Sequence, residues 1–407
     1  MLILCPFRGS AMAYVDMIRS VLGGNTTLSN LEKFVGEYGL PVDEDERRSN
    51  LKKPDDWRLL FDGQNVDDDF KMGIQVNPGH GKGAGADKGV YLRLYSDFYH
   101  SDIVLASPLG IRLLIENKGK AERDFLSSVE VVVLHMADVL YFQNWDHVDF
   151  VLRNLNMMLT QDRGTDFSRV RPYFLEGKAL HYRQLLINTS FNDPCIQASF
   201  REFGRSLSNT IRIRRDPGEG SIVHVLSNVK QVFQLVPVSS LATEDDERFV
   251  YFVENILQPL LRMKQKRTLI VTPSYIHFIR IRNFLIDHEA NAAYINEYSR
   301  DSEISRGRSR FFHAQNDILL YSGRAHFFMR YLIRGAMHIV FFSPTERPDF
   351  YSEIVNFLTE ASNAGLEAEM SCVTLFTRFD QMALERIVGR KRTNYMLHSG
   401  KTTYVFK

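Results

Sequence analysis

The chain is poor in cysteine, in net charge and in long apolar runs. Cys5, Cys195 and Cys372 are odd in number and far apart, and no Cys-x-x-Cys occurs. This argues against a disulfide framework or a cysteine zinc site and suits a reducing compartment. His135, His147 and His181 are too scattered to add a metal site. Fifty Lys and Arg offset 49 Asp and Glu, so global charge names no partner. No apolar run approaches the roughly 20 residues that cross a bilayer. Met1 to Pro6 is apolar, but Arg8 follows at once, which removes a signal-peptide core. The sequence predicts a soluble, intracellular protein with no membrane contact. A phosphate loop is also absent. The Gly81-Lys82 pair in the glycine-rich stretch Asn77–Gly89 is followed by Gly83 rather than Ser or Thr. Val90, Leu92 and Leu94 then alternate as a strand, where a phosphate loop requires a helix. The stretch reads as a flexible surface insertion.

What is present is a globular chain of 407 residues with 44% hydrophobic residues, enough for two or three domains. Short apolar strands alternate with helical stretches. Strands are expected at 2–5, 102–106, 129–134 and 184–188, and then at 268–272, 292–295, 317–321, 338–342 and 373–376. Helical spacing is clear at Met12, Val15, Ile18 and Leu22, and again across Trp145–Leu159. Ser29-Asn30-Leu31-Glu32 reads as a capping box, and Asp43–Arg48 as a charged loop. Glu244-Asp245-Asp246-Glu247 opens a long helix with the correct sign for its dipole. The pattern predicts two α/β domains, 1–240 and 241–407, each with a parallel sheet covered by helices. Trp57 and Trp145 are expected in the core. Arginine clusters at Arg205–Arg215 and Arg300–Arg334 suit either phosphate or a solvated face. Gly389-Arg390-Lys391-Arg392 reads equally as a helix start or a phosphate contact.

Several segments resemble, in order, the motifs of the two RecA-like domains of a DEAD-box RNA helicase. Pro6-Phe7-Arg8 resembles the Pro-Thr-Arg motif, and Ser107-Pro108-Leu109-Gly110-Ile111-Arg112 the Thr-Pro-Gly-Arg motif. Thr272 and Ser274 close the first strand of the second domain, and Arg324 follows the position of the Thr-Asp motif. The resemblance implies RNA-backbone contact at Pro6, Arg8, Ser107, Pro108, Gly110, Arg112, Thr272, Ser274 and Arg324. Other positions are degenerate. His135-Met136-Ala137-Asp138 stands where Asp-Glu-Ala-Asp holds magnesium and water, and Thr189-Ser190 where Ser-Ala-Thr stands. Ser352, Glu353 and Asn356 lie in the stretch that carries arginine fingers. ATP hydrolysis needs a phosphate loop, a magnesium Asp, a water-positioning Glu and the fingers, and a missing finger alone costs about a thousandfold or more. We therefore expect no enzyme activity and no cofactor. Asp138 is expected to cap a helix or to pair with Thr189 or Ser190.

Longer phrases are more specific. Leu94-Tyr95-Ser96-Asp97-Phe98-Tyr99-His100, Gly164-Thr165-Asp166-Phe167-Ser168-Arg169 and Pro348-Asp349-Phe350-Tyr351-Ser352-Glu353 resemble the digestive-organ-expansion-factor family. These are pseudohelicases associated with U3 small nucleolar RNA in the small-subunit processome. The resemblance spans nearly the whole chain. It implies a nuclear, nucleolar factor in small-subunit ribosomal RNA maturation, with precursor rRNA, U3 RNA or its particle, and other processome proteins as partners. Such relatives carry an acidic extension and the start of the first domain ahead of Met1, so we expect the first sheet to lack a central strand. The rival readings are an active ATP-dependent helicase whose phosphate loop is missing from this sequence, and a purely protein-binding scaffold.

Overall fold

The computed structural model describes residues 1–23, 26–40, 53–78, 89–161, 164, 166–363, 365 and 369–407. The chain divides into two compact units, Met1–Arg212 and Ile213–Lys407. The expected boundary near Leu241 is corrected by strand pairing. The alternating segment Gln231–Leu235 lies parallel to Ser371–Phe376 and so belongs to the second sheet.

The first unit is a seven-stranded sheet of order β2-β4-β3-β5-β1-β6-β7. The strands are β1 (Leu2–Leu4), β2 (Thr27–Ser29), β3 (Lys71–Pro78), β4 (Val90–Ser96), β5 (Ile103–Ala106), β6 (Val131–Leu134) and β7 (Gln184–Ile187). β1 pairs in parallel with both β5 and β6. Among the described residues the ladder is continuous, and its edge strands are β2 and β7. β3 runs antiparallel to β4 and β5, so the sheet is mixed.

Successive strand residues point to opposite faces, and both faces are covered. Leu2, Leu4, Val104, Ala106, Val132 and Leu134 pack against Ile111, Leu140, Trp145 and Val148. Ile3, Cys5 and Leu105 pack on the other face with Ala11, Val15, Phe34 and Tyr38. The apolar stripe beyond Trp145 belongs to a helix that starts earlier, at Ala137, breaks at Asn144 and ends at Arg153. The capping box is also corrected. Asn30 caps the Leu31–Tyr38 helix in a left-handed conformation without a side-chain bond to it, and its amide donates instead to Leu94 O (3.0 Å). The charged loop lies outside the described residues, as does most of the glycine-rich insertion. Asn77 and Pro78 end β3.

The second unit holds β8 (Gln231–Leu235), β9 (Thr268–Thr272), β10 (Ala292–Ile295), β11 (Ile318–Ser322), β12 (His338–Phe341), β13 (Ser371–Phe376) and β14 (Thr403–Phe406). Their order is β10-β11-β9-β12-β13-β8-β14, parallel except for β14 at one edge. The acid-rich helix start is present at Glu244, where Glu244 and Asp380 flank the buried Arg248. Ile270, Leu320, Val340 and Leu375 pack on Phe252, Leu257, Phe278 and Ile281.

Candidate functional site

In the first unit the predicted positions gather at the C-terminal ends of four adjacent strands. Register places Leu4 beside Ala106 and Leu134, and Leu134 beside Ile187. The residues after β5, β1, β6 and β7 therefore form one row. Sequence order alone could not assemble it.

Their side chains are engaged within the unit. Pro6 is buried, and its carbonyl accepts from Gln143 Nε2 (3.0 Å). Arg8 donates to Glu37 O (3.1 Å) and Asp69 O (2.8 Å), lies 3.1 Å from Asp67 Oδ2 and covers the Tyr38 ring. Ser107 caps the Pro108–Lys118 helix by accepting from the Gly110 amide (2.8 Å). Pro108 sits in the first turn, where its missing N–H costs nothing. Gly110 is required by close approach, because a Cβ there would stand 2.3 Å from Phe70 O. Arg112 pairs with Glu116 (2.9 Å) and donates to His147 Nδ1 (3.0 Å). Burial, and then Arg112 itself, hold His147 below its usual pKa, which suits the neutral acceptor this bond requires.

At the degenerate motif, His135 Nδ1 meets the Tyr14 hydroxyl at 3.2 Å, with the two rings edge to face. Burial lowers the His135 pKa, and Asp138 opposes the shift. Met136 takes the left-handed region at φ 52°, which is costly for a residue with a Cβ. Asp138 is 6% exposed and accepts from the Ser190 amide (3.2 Å) and hydroxyl (2.5 Å). The expected pairing with Ser190 is therefore present. Thr189 instead donates to Phe191 O (2.7 Å) and closes its own turn.

In the second unit, Thr272 and Ser322 end paired strands. The Thr272 side chain is fully buried, and its hydroxyl has no hydrogen-bond partner among the described residues. Ser274 caps the Tyr275–Asp287 helix and contacts His277 Nδ1 (2.8 Å), whose Nε2 meets Asp245 Oδ1 (3.1 Å). Burial lowers the His277 pKa, so a neutral ring accepts at Nδ1 and donates at Nε2. Arg324 lies 3.3 Å from Glu297, which also accepts from Ser322 Oγ (2.9 Å). The Glu297 side chain is only 5% exposed.

The degenerate finger stretch falls on the Pro348–Val355 helix, and its three residues separate. Only Glu353 turns toward the β11 end. It meets His326 Nε2 (3.1 Å) and Arg330 Nε (2.9 Å), while His326 Nδ1 contacts the Tyr321 hydroxyl (3.2 Å). Ser352 is buried and donates to Asp349 O (3.1 Å). Asn356 holds the segment before β8, donating to His224 O (3.1 Å) and accepting from the Leu226 amide (2.7 Å). Sequence reasoning missed Tyr14, His147, Glu297 and His326 as partners. Each is a lone polar residue without motif spacing, and only the fold brings it in. Among the described residues, no cluster of three or more His, Cys, Asp or Glu could hold a metal.

These are two α/β units, each built on a seven-stranded sheet in which parallel pairs predominate. The family model described as "UTP25, NTP hydrolase-like domain" matches residues 1–209, and "Utp25, C-terminal domain" matches residues 221–406. The chain belongs to the UTP25 family. It is 37% identical over 411 residues to the "U3 small nucleolar RNA-associated protein 25 homolog" of Homo sapiens, covering 100% of this chain and 52% of that protein. It is 34% identical over 414 residues to "U3 small nucleolar RNA-associated protein 25" of Schizosaccharomyces pombe, covering 60% of that protein. The chain thus spans about half the length of the curated relatives it matches. Among solved structures it is similar to "S. cerevisiae Dbp5 bound to RNA and ADP BeF3", at 13% identity and a TM-score of 0.31 over 74% of this chain and 65% of that one. A DEAD box protein from Methanococcus jannaschii gives 12% identity and a TM-score of 0.30 over 97% of this chain and 77% of that one.

Proposed function

We propose that this chain is a non-catalytic factor in the maturation of small-subunit ribosomal RNA. It acts in the nucleolus within the small-subunit processome, and binds precursor rRNA, U3 RNA or neighbouring assembly proteins. The relatives' names, which associate those proteins with U3 small nucleolar RNA, support the setting.

The observation that carries the non-catalytic part is the state of Glu353. An acid stands in the finger stretch and binds two bases of its own unit, His326 and Arg330. A finger must deliver positive charge to a phosphoryl group, and this arrangement draws positive charge inward. Met136 adds to the case, because its thioether cannot position an attacking water. Pro6, Arg8, Ser107, Pro108, Gly110, Arg112, Thr272, Ser274 and Arg324 are the proposed RNA-facing positions. Arg8 opens one helix and Arg112 lies within two turns of the start of another, and the free amides at those starts suit backbone phosphate. Binding of this kind is largely sequence-independent and weakens with salt.

The test is phosphate release from ATP by the purified protein. Background rates are expected with and without RNA, and also after Met136→Glu. RNA-dependent release by the unaltered protein would overturn the non-catalytic reading and favour the helicase rival.

A further inference from the structure

The last stretch of the chain is chemically one-sided. Arg386 to Lys407 contains six Lys and Arg and no Asp or Glu. The fold turns this stretch into a surface. The Arg390–His398 helix lies alongside the edge strand β14, and between them runs a groove of about 430 Å³ lined by Lys391, Arg392, Tyr395, Lys401, Tyr404 and Phe406. We infer that this groove is a docking site for single-stranded RNA, separate from the strand-end positions described above.

Three observations carry this. First, its cations are uncommitted to acids. Among the described residues, Arg392 donates to the main-chain oxygens of Glu219 (3.2 Å) and Val388 (3.4 Å) and to no carboxylate. Among the described residues, Lys391 and Lys401 form no ion pair, and the groove lining contains no carboxylate. Second, the groove has an aromatic platform. Tyr395 is 55% exposed, with Lys401 Nζ 6.0 Å from its ring centre and the Tyr404 ring at 6.1 Å, nearly perpendicular. A cation beside an open ring serves a phosphate and a stacked base together. An acidic protein segment would use the cations and leave the ring idle, so the ring favours RNA. Third, the platform is fixed before any ligand arrives. The Tyr404 hydroxyl lies within hydrogen-bond distance of Met396 O (2.6 Å) and Lys401 O (2.9 Å), either of which accepts its one proton. The helix is set by Gly389, at φ 83°, where a Cβ would meet Gly218 O at 2.6 Å.

The groove is also remote from Thr272. β14 stands four strand positions from β9, roughly 19 Å at about 4.8 Å per strand. RNA held there makes contacts that the strand ends cannot.

The inference shares with the proposed function the premise that the chain meets RNA, so the two are tested separately. The assay is fluorescence anisotropy of labelled decauridylate with the full chain. Lys391→Glu with Lys401→Glu is expected to weaken binding at least tenfold and to flatten the salt slope by about 1.4, at about 0.7 per lost phosphate contact. Tyr395→Ala is expected to weaken binding about fivefold or more, with the slope unchanged. Lys391→Arg with Lys401→Arg retains affinity and guards against a folding artefact. Equal binding by all variants, or no binding by the unaltered chain, overturns the groove. Displacement of decauridylate by decaglutamate, with Tyr395→Ala silent, assigns the groove to an acidic protein segment and also overturns the inference. Precursor-rRNA crosslinks in cells that persist beside unchanged decauridylate binding would sink the groove and leave the proposed function standing. Groove-dependent decauridylate binding without such crosslinks would do the reverse.

Discussion

At the end of β6, a buried carboxylate is satisfied by neutral donors: Asp138 accepts the amide and hydroxyl of Ser190, one strand away. At the end of β11, carboxylates are satisfied by cations. Glu297 lies against Arg324, and Glu353 lies against Arg330, with the His326 ring also in hydrogen-bond contact. The first arrangement is a hydrogen-bonded clasp between neighbouring strands. The second is a charge network joining β10, β11 and the Pro348–Val355 helix. The difference teaches where each unit is vulnerable. The Asp138 carboxylate keeps its charge and accepts from uncharged donors, whereas Glu353 faces the buried guanidinium of Arg330, where charge meets charge.

The largest effect that could break this comparison is expected at Glu353. Glu353→Ala removes the carboxylate from two buried bases and should cost about 3 kcal/mol. Urea unfolding measures it, and a loss below about 1 kcal/mol would put the two units on the same footing. Asp138→Ala comes next, at about 1–3 kcal/mol, with Ser190→Ala at about 1 kcal/mol. If these exceed the Glu353 effect, the ranking is reversed.

A pH series sharpens the same contrast. Burial lowers the pKa of His135 in the first unit and of His277 and His338 in the second. A histidine whose folded pKa lies below its unfolded value of about 6.5 contributes stability above that pH and loses it as pH falls. The unfolding midpoint should therefore hold from pH 8 to 7 and then drop, by at most about 1.4 kcal/mol per pH unit for each such histidine. His277→Gln should flatten the drop, and an unchanged slope would remove His277 from the account. The smallest effect is expected at Met136. Met136→Asn, which tolerates the left-handed region, should stabilise the first unit by roughly 0.5 kcal/mol. Destabilisation would mean that the thioether packs more than its backbone strains.

Much of the fold was legible in the sequence because buried parallel strands leave continuous apolar runs. β1, β5, β6 and β9–β13 announce themselves in that way. β3 is legible too, since Met72, Ile74 and Val76 alternate just ahead of the glycine-rich stretch. β14 is four residues at an edge, too short to stand out. The boundary moved because β8 alternates like any strand, and only pairing with β13 tells which sheet it joins. The false capping box has a similar cause. Asn30 finds Leu94 O, 64 residues away, and that tertiary bond outcompetes the local one. For the candidate site, motif order located the strand-end positions. Motif order could not show that Arg8 is held by Glu37 and Asp69 carbonyls, or that Glu353 faces His326 while Ser352 and Asn356 face elsewhere. Helical phase decides the last of these, and the partners come from separate segments.

The central proposal is that this chain binds small-subunit precursor RNA. Ultraviolet crosslinking of the protein in living cells, followed by sequencing of the attached RNA, tests it most directly. The account predicts reads concentrated over small-subunit precursor rRNA or U3 RNA. RNA recovery at background, with neighbouring assembly proteins still recovered, would contradict it and leave a protein scaffold.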